Sequence, residues 1–325
     1  MHNFWYFFLK ATRFHSIFSL IFYSIFIFKK GHTKINLFNS EEKQLPKNEY
    51  FKGWYFKCAG EDQTVAFIPS LHYCGTEKAI LQIITDDTSF CLPFSRLKYC
   101  EKPLFVKIGK NVFTEKGIKL DIGIDELTVK GALRFGKLSP IRYDIMGPFK
   151  FVPFMQCRHS VYSMKHSVNG KIIINGKRYV FHNGIGYIEG DCGTSFPKRY
   201  IWTQCNFANG SLMLSAADIP LLGFCFTGII GVVMLNGKEY RIATYLGAKL
   251  KHIGKDTITV SQGGYELTAK LIGKNAHPLS APVNGKMRRT IRESASCTAY
   301  YKFSYMSTVL CDFTSDRASF EFEYR

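Results

Sequence analysis

The sequence predicts an all-β protein of antiparallel strands arranged as barrel or sandwich halves. Three observations lead there. From about residue 50 onward, short apolar or alternating runs are broken by Gly, Asn, Asp and Pro, the rhythm of sheet and tight turn. Two Asn-Gly pairs stand between such runs, where they supply the positive φ angles of a type I′ hairpin turn. Nothing between the runs keeps helical periodicity for three turns, so any helix should be short and peripheral.

The first of these hairpins covers Lys171 to Phe181. Ile172, Ile173 and Ile174 enter Asn175-Gly176, and Tyr179, Val180 and Phe181 return. Val232 to Tyr245 repeats the construction around Asn236-Gly237. Further strands are expected at Thr64 to Leu71, Ala79 to Thr85, Phe105 to Ile108, Gly117 to Ile124, Glu126 to Leu133 and Ser211 to Ala217. Three more follow at Thr257 to Ser261, Tyr265 to Ile272 and Ala299 to Tyr305. Strands at this spacing suit a barrel or sandwich, and an inward apolar face could enclose one ligand. Pro140, Gly147-Pro148 and Pro153 interrupt the rhythm, which places a division near residue 150 and two halves at 36–150 and 151–325.

The chain has 325 residues, of which 46% are hydrophobic and 15% aromatic, enough for a substantial core. Its formal net charge is +18, but Lys and Arg are scattered singly, with no basic run or nucleic-acid-binding signature. The charge therefore reads as solvated strand faces that would suit an anionic membrane surface, and nucleic acid is not an expected partner. The ten cysteines show no CxxC pair and no His clustering at zinc spacing, so no structural metal is expected. They sit largely among apolar residues, as free thiols of a reducing, cytoplasmic compartment do. Residues 1–35 form an apolar leader; its unbroken run Ser16 to Phe28 is too short to span a bilayer comfortably. Residues 4–28 are either an interfacial membrane contact or an unstructured lead-in.

Candidate chemistry concentrates in Glu189 to Asn206. Glu189 and Asp191 precede a turn with Gly193 and Pro197, and the following strand carries Tyr200, Trp202, Gln204 and Asn206 on one face. Amides and an indole on one face are what a pocket uses to orient an apolar ligand. The plainer alternative makes the acids turn residues and Trp202 simple core. Trp54, in the aromatic cluster Tyr50 to Lys57, and His159 and His166, which flank a strand-like run, complete the set of candidates.

Glu189-Gly190-Asp191-Cys192-Gly193, then Phe196-Pro197, then Trp202 and Gln204-Cys205-Asn206, resembles the signature of the tocopherol cyclase family. The cluster Gly53-Trp54-Tyr55-Phe56-Lys57 is similar to the family's opening motif, and the Ile172 to Tyr179 hairpin stands where the family has one. Together these cover about residues 36 to 305, with a closer likeness to the bacterial branch. Two positions depart from the pattern: Cys192 stands where the family usually has Trp, and Gly190 where it has a polar residue.

The resemblance implies two lipocalin-like β halves and a ligand such as a prenylquinol or polyene lipid. It also implies a reaction without cofactor or metal, in which an alkene is protonated and a phenol oxygen, or water in a hydratase, captures the cation. Asp191 is then the expected proton donor and Glu189 its partner. Trp202, with Trp54, would face the cation, and Gln204 and Asn206 would hold the head group beside Tyr200. His159 and His166 are further acid-base candidates. The alternative on the same fold is a non-catalytic carrier of an apolar molecule.

Overall fold

The computed structural model describes residues 49–152, 155–221, 224–273 and 276–324. The leader at 1–35, with its candidate membrane contact at 4–28, lies outside them. Among the described residues, no helix is long and apolar enough to cross a membrane.

The first sheet comprises β1 (Tyr50–Ala59), β2 (Thr64–Cys74), β3 (Thr76–Thr85), β4 (Ser89–Phe94), β5 (Leu97–Glu101), β6 (Leu104–Ile108), β7 (Asn111–Thr114), β8 (Gly117–Ile124), β9 (Leu127–Phe135), β10 (Cys157–Ile174) and β11 (Lys177–Gly193). Its order is β4-β3-β2-β1-β11-β10-β9-β8-β7-β6-β5. The second comprises β12 (Tyr200–Phe207), β13 (Gly210–Leu221), β14 (Phe224–Leu235), β15 (Lys238–Ala243), β16 (Lys249–Gly254), β17 (Thr257–Gln262), β18 (Tyr265–Gly273), β19 (His277–Val283), β20 (Lys286–Tyr305) and β21 (Thr308–Phe322). Its order is β15-β14-β13-β12-β21-β20-β18-β17-β16, with β19 paired on β20. Two short 3-10 helices, Gly147–Phe151 and Thr244–Leu246, are the helical elements among the described residues. The expected all-β antiparallel fold is thus observed.

In each sheet the two edge strands are consecutive in the chain, β4 with β5 and β15 with β16. The short links 95–96 and 244–248 therefore bend each sheet round until its edges approach. No main-chain ladder closes either ring among the described residues. In the second sheet the Gln262 side chain spans part of the gap, accepting from Ala243 N at 2.9 Å and donating to Arg241 O at 2.9 Å.

Both Asn-Gly turns form as expected, with φ of 46° and 81° at Asn175-Gly176 and 49° and 75° at Asn236-Gly237. Gly131 has a different need. Its φ is +144°, and a Cβ there would stand 2.3 Å from Lys171 O and 2.7 Å from Ile172 Cα on the neighbouring strand. Backbone cannot move aside as a side chain would, so Gly131→Ala is expected to cost roughly 2–3 kcal/mol in urea unfolding.

The sheet boundary does not fall near residue 150. β11 pairs with β1 on one side and with β10 on the other, so 157–193 complete the first sheet. The chain crosses to the second sheet only through 194–199. Pro140, Gly147 and Pro148 bound a loop and a 3-10 turn within the path of the first sheet.

Each sheet wraps a core of its own. Phe56 and Phe67 pack at a tilt on Phe113 inside the first, with ring centroids 5.3 and 6.1 Å from it. Ile201, Cys205, Leu214, Val233, Tyr301 and Phe320 lie inside the second. A further cluster, including Tyr55, Met164, Tyr187, Tyr200, Trp202, Met213 and Ile291, packs the two sheets against each other. Strands at this contact are buried on both faces, so they read as near-continuous apolar runs, and any polar residue on them needs a partner.

Candidate functional site

The site lies at the contact between sheets. On β11, alternation sends Tyr187, Glu189 and Asp191 to one face and Ile188, Gly190 and Cys192 to the other. Antiparallel register then sets Tyr55 of β1 opposite Glu189 and His159 of β10 opposite Asp191. Facing them across the contact are Tyr200 and Trp202 of β12, Glu293 of β20 and Glu321 of β21.

Three groups converge on one carboxylate oxygen. Glu189 Oε2 accepts from Tyr187 OH at 2.5 Å and from Trp202 Nε1 at 3.1 Å, and His159 Nε2 stands 3.0 Å away. The Nε2 contact is close but poorly aligned for a hydrogen bond. The other imidazole nitrogen, Nδ1, is 2.9 Å from Asp191 Oδ1, which also accepts from Cys157 Sγ at 3.5 Å. Burial works against a charged imidazole here, but Glu189 and Asp191 outweigh it, and the His159 pKa is held well above its ordinary value. His159 is therefore an imidazolium at neutral pH, bracketed by two acids. The ligand atoms of His159, Glu189 and Asp191 lie within 4.8 Å of one another, a spacing that could hold a cation. Since each ring nitrogen already faces a carboxylate, an entering ion would have to break one of those contacts.

Two chambers border this cluster. The first, of about 110 Å³, is walled by Met146, Phe149, Met155, Ile219 and Phe226, with His159, Tyr200 and Trp202 on its polar side. The second, of about 70 Å³, is walled by Phe51, Ile68, Leu279 and Ile291 and is bordered by Ser70, Gln82 and Glu293. Glu189, Asp191, Phe196 and Glu321 line both.

The structure brings together most, but not all, of the residues that the sequence singles out. Glu189, Asp191, His159, Tyr200 and Trp202 line the first chamber, and Trp54 borders the second with its ring against Tyr99. Gln204 shares the predicted face of β12 but lines neither chamber; its Oε1 accepts from the Lys57 ammonium at 3.2 Å. Asn206 lies farther along, at a separate cleft beside Phe207 and Phe313. His166 packs on Phe135 with its Nδ1 3.0 Å from Ser163 Oγ, and burial pushes its pKa down to about 4, so it is neutral. Cys192 lines neither chamber, and its departure from the family pattern leaves their walls unchanged. At Gly190 a Cβ would meet Gly53 O at 3.0 Å and Trp54 Cδ1 at 3.2 Å. Glycine there lets β1 and β11 approach.

Sequence reasoning missed Glu293 and Glu321, which are cross-strand partners on β20 and β21. Burial, opposed by hydrogen bonding from Tyr55 and reinforced by the nearby Glu189 charge, pushes Glu293 up to about 7. Burial and the Glu293 charge raise Glu321 well above the carboxylate range, although Tyr200 OH donates to its Oε2. The available signal was the Phe320-Glu321-Phe322-Glu323 alternation, which by itself reads as an ordinary solvent-facing strand edge.

A family model described as tocopherol cyclase-like matches residues 126–318, which run from the edge of β9 into β21 and include His159, Glu189, Asp191, Trp202 and Glu293. The chain belongs to the tocopherol cyclase-like family. One curated relative, a probable chloroplastic tocopherol cyclase from Oryza sativa subsp. japonica, is 25% identical over 130 residues, which make up 38% of this chain. The matched stretch spans 27% of that relative's length. Among solved structures, CghA bound to Sch210972 superposes with a TM-score of 0.58 at 10% identity, covering 86% of this chain and 93% of that one. Kievitone hydratase from Nectria haematococca gives 0.51 at 8% identity, covering 85% and 89%. At such identities these structures show that the tocopherol cyclase-like chain shares their fold.

Proposed function

We propose that this tocopherol cyclase-like protein binds an apolar prenylated or polyene ligand between its sheets and protonates one of the ligand's alkenes, cyclising or hydrating it. The carrying observation is the buried His159–Glu189–Asp191 cluster opening on an apolar chamber. Two relatives bear the names of a cyclase and a hydratase, reactions that share one cationic step.

In that step the proton between His159 Nδ1 and Asp191 Oδ1 passes through the Asp191 carboxyl to the alkene carbon. The π electrons form the new C–H bond and leave a cation on the more substituted carbon. A lone pair from a ligand hydroxyl or a water closes the C–O bond, and the proton that oxygen loses restores the His159–Asp191 pair. Protons and electrons balance without a redox partner. Glu189, fixed by Tyr187 and Trp202, offers a negative oxygen to the cation, and the Trp202 ring adds its face. Apolar walls at Met146, Phe149 and Phe226 keep bulk water from the cation.

Asp191→Asn keeps an oxygen that can accept from His159 Nδ1 and removes only the acid. Turnover of a prenylquinol and polyene lipid mixture, followed by mass spectrometry, should fall about 100-fold or more, while lipid retained by the protein stays the same. Undiminished turnover would defeat the assignment of Asp191. A retained but unaltered lipid in the unsubstituted protein would establish a carrier instead.

A further inference from the structure

The second chamber carries polar atoms that the proposed reaction does not use. Glu293 is 2% exposed and Ser70 is 4% exposed, and Glu293 Oε1 and Ser70 Oγ have no hydrogen-bond partner. Both residues border the same small space. A buried polar atom left unpaired costs free energy, so two of them on residues that border one cavity mark a place where a ligand atom completes the hydrogen bonding. The volume, about 70 Å³, is several times what one water requires.

From this geometry we infer that the second chamber is a subsite for the uncharged, oxygen-bearing end of the ligand, a hydroxyl or carbonyl held by Glu293, and that it turns carboxylates away. The inference rests on the ligand-binding reading above and adds the charge selection. Its basis is the carboxyl pair. Glu293 and Glu321 oppose each other across one strand pairing and are both more than nine-tenths buried, so they do not ionise together at neutral pH. Facing them are Tyr55 and Lys57 from β1, Glu189 and Asp191 from β11 and Tyr200 from β12. A retained proton lets the pair donate to a neutral oxygen, as a buried neutral carboxylic acid can. Whichever of the pair is ionised repels a second anion, the Glu189 charge being already matched by the His159 imidazolium. Lys57, the one cation in that set, is directed at Gln204, Arg317 O and Ser319 rather than into the chamber.

The test uses the full chain and two probes with one tail, 2-geranylphenol, whose hydroxyl stands ortho to the tail as ring closure requires, and 2-geranylbenzoate, titrated at pH 7 by quenching of tryptophan fluorescence. The phenol should bind at least about tenfold more tightly. Glu293→Gln retains a hydrogen-bonding group without a titratable proton, and it should narrow that gap chiefly by improving the benzoate. Equal affinities in the unsubstituted protein, a gap unchanged by Glu293→Gln, or failure of both probes to bind would each overturn the inference. Selective retention of the phenol without product would sink the catalytic reading and leave the subsite standing. Product formation with equal affinity for both probes would do the reverse.

Discussion

Replacing His159 by phenylalanine should destabilise the protein by about 3–5 kcal/mol at neutral pH, the usual cost of stranding a buried charge. The ring keeps most of the volume of the imidazole, so packing changes little. What changes is charge: Glu189 and Asp191, now facing each other without the cation 3.0 and 2.9 Å away, lose the group that offsets their burial. The pH dependence follows from the direction of the histidine shift. With the native pKa raised above the unfolded value near 6.5, the folded state binds more protons between the two. The stabilisation is complete below the unfolded value and is lost as pH rises through the native one. Urea unfolding of both proteins from pH 6 to pH 9 should therefore show the difference shrinking toward the alkaline end. A His159→Phe protein as stable as the parent at pH 6.5 would mean that the cluster is not an ion-pair network. The same substitution should abolish turnover, since it also removes the Nδ1 proton.

Much of this molecule was legible in the sequence because strand alternation is a local property. Eight of the nine separately predicted strands lie within observed strands and the ninth overruns β9 by Glu126 alone; both Asn-Gly turns form, with Thr244 and Tyr245 of the second hairpin falling in a 3-10 turn, and Tyr200, Trp202 and Gln204 share the even-numbered face of β12. Two kinds of information were not local. One is which strand pairs with which: the prolines at 140–153 look like a division, yet β11 pairs with β1 and β10 lies between β11 and β9. The other is how far along a strand the cavity extends. Gln204 and Trp202 share a face, but the chamber ends between them, and Gln204 serves Lys57 instead. His159 and His166 look alike in the sequence. Register shifts between Val161, Ser163 and His166 give them unlike surroundings, which no periodic reading would predict. Glu293 and Glu321 are separated by the β20–β21 hairpin, so only the pairing register makes them neighbours.

Lys57 carries the second large effect. It is 1% exposed, and its ammonium donates to Ser319 Oγ at 2.8 Å, Arg317 O at 2.8 Å and Gln204 Oε1 at 3.2 Å, all neutral acceptors. Burial lowers its pKa from 10.5 to about 8, opposed only in part by Cys205, Cys297, Glu293 and Asp86. A lysine depressed in the native state binds fewer protons there than in the unfolded chain. Between about pH 8 and 10.5 the unfolded state therefore holds the extra proton, and stability rises with pH across that window. A shift of this size corresponds to roughly 3 kcal/mol. Lys57→Met keeps an unbranched chain of similar length and removes the titration. Measured against that variant by urea unfolding at pH 7.5, 9 and 10.5, the parent should gain about 3 kcal/mol of relative stability, with most of it appearing above pH 8. A difference that stays flat over the range would show that the Lys57 ammonium is not desolvated as its surroundings require. The position matters to the site as well, because Lys57 and Tyr55 both bond Ser319, one residue pair away from Glu321 on β21. The Lys57 charge lowers the Glu293 pKa, so Lys57→Met should leave Glu293 more fully protonated and weaken the preference for a neutral ligand terminus, even though the lysine lines neither chamber.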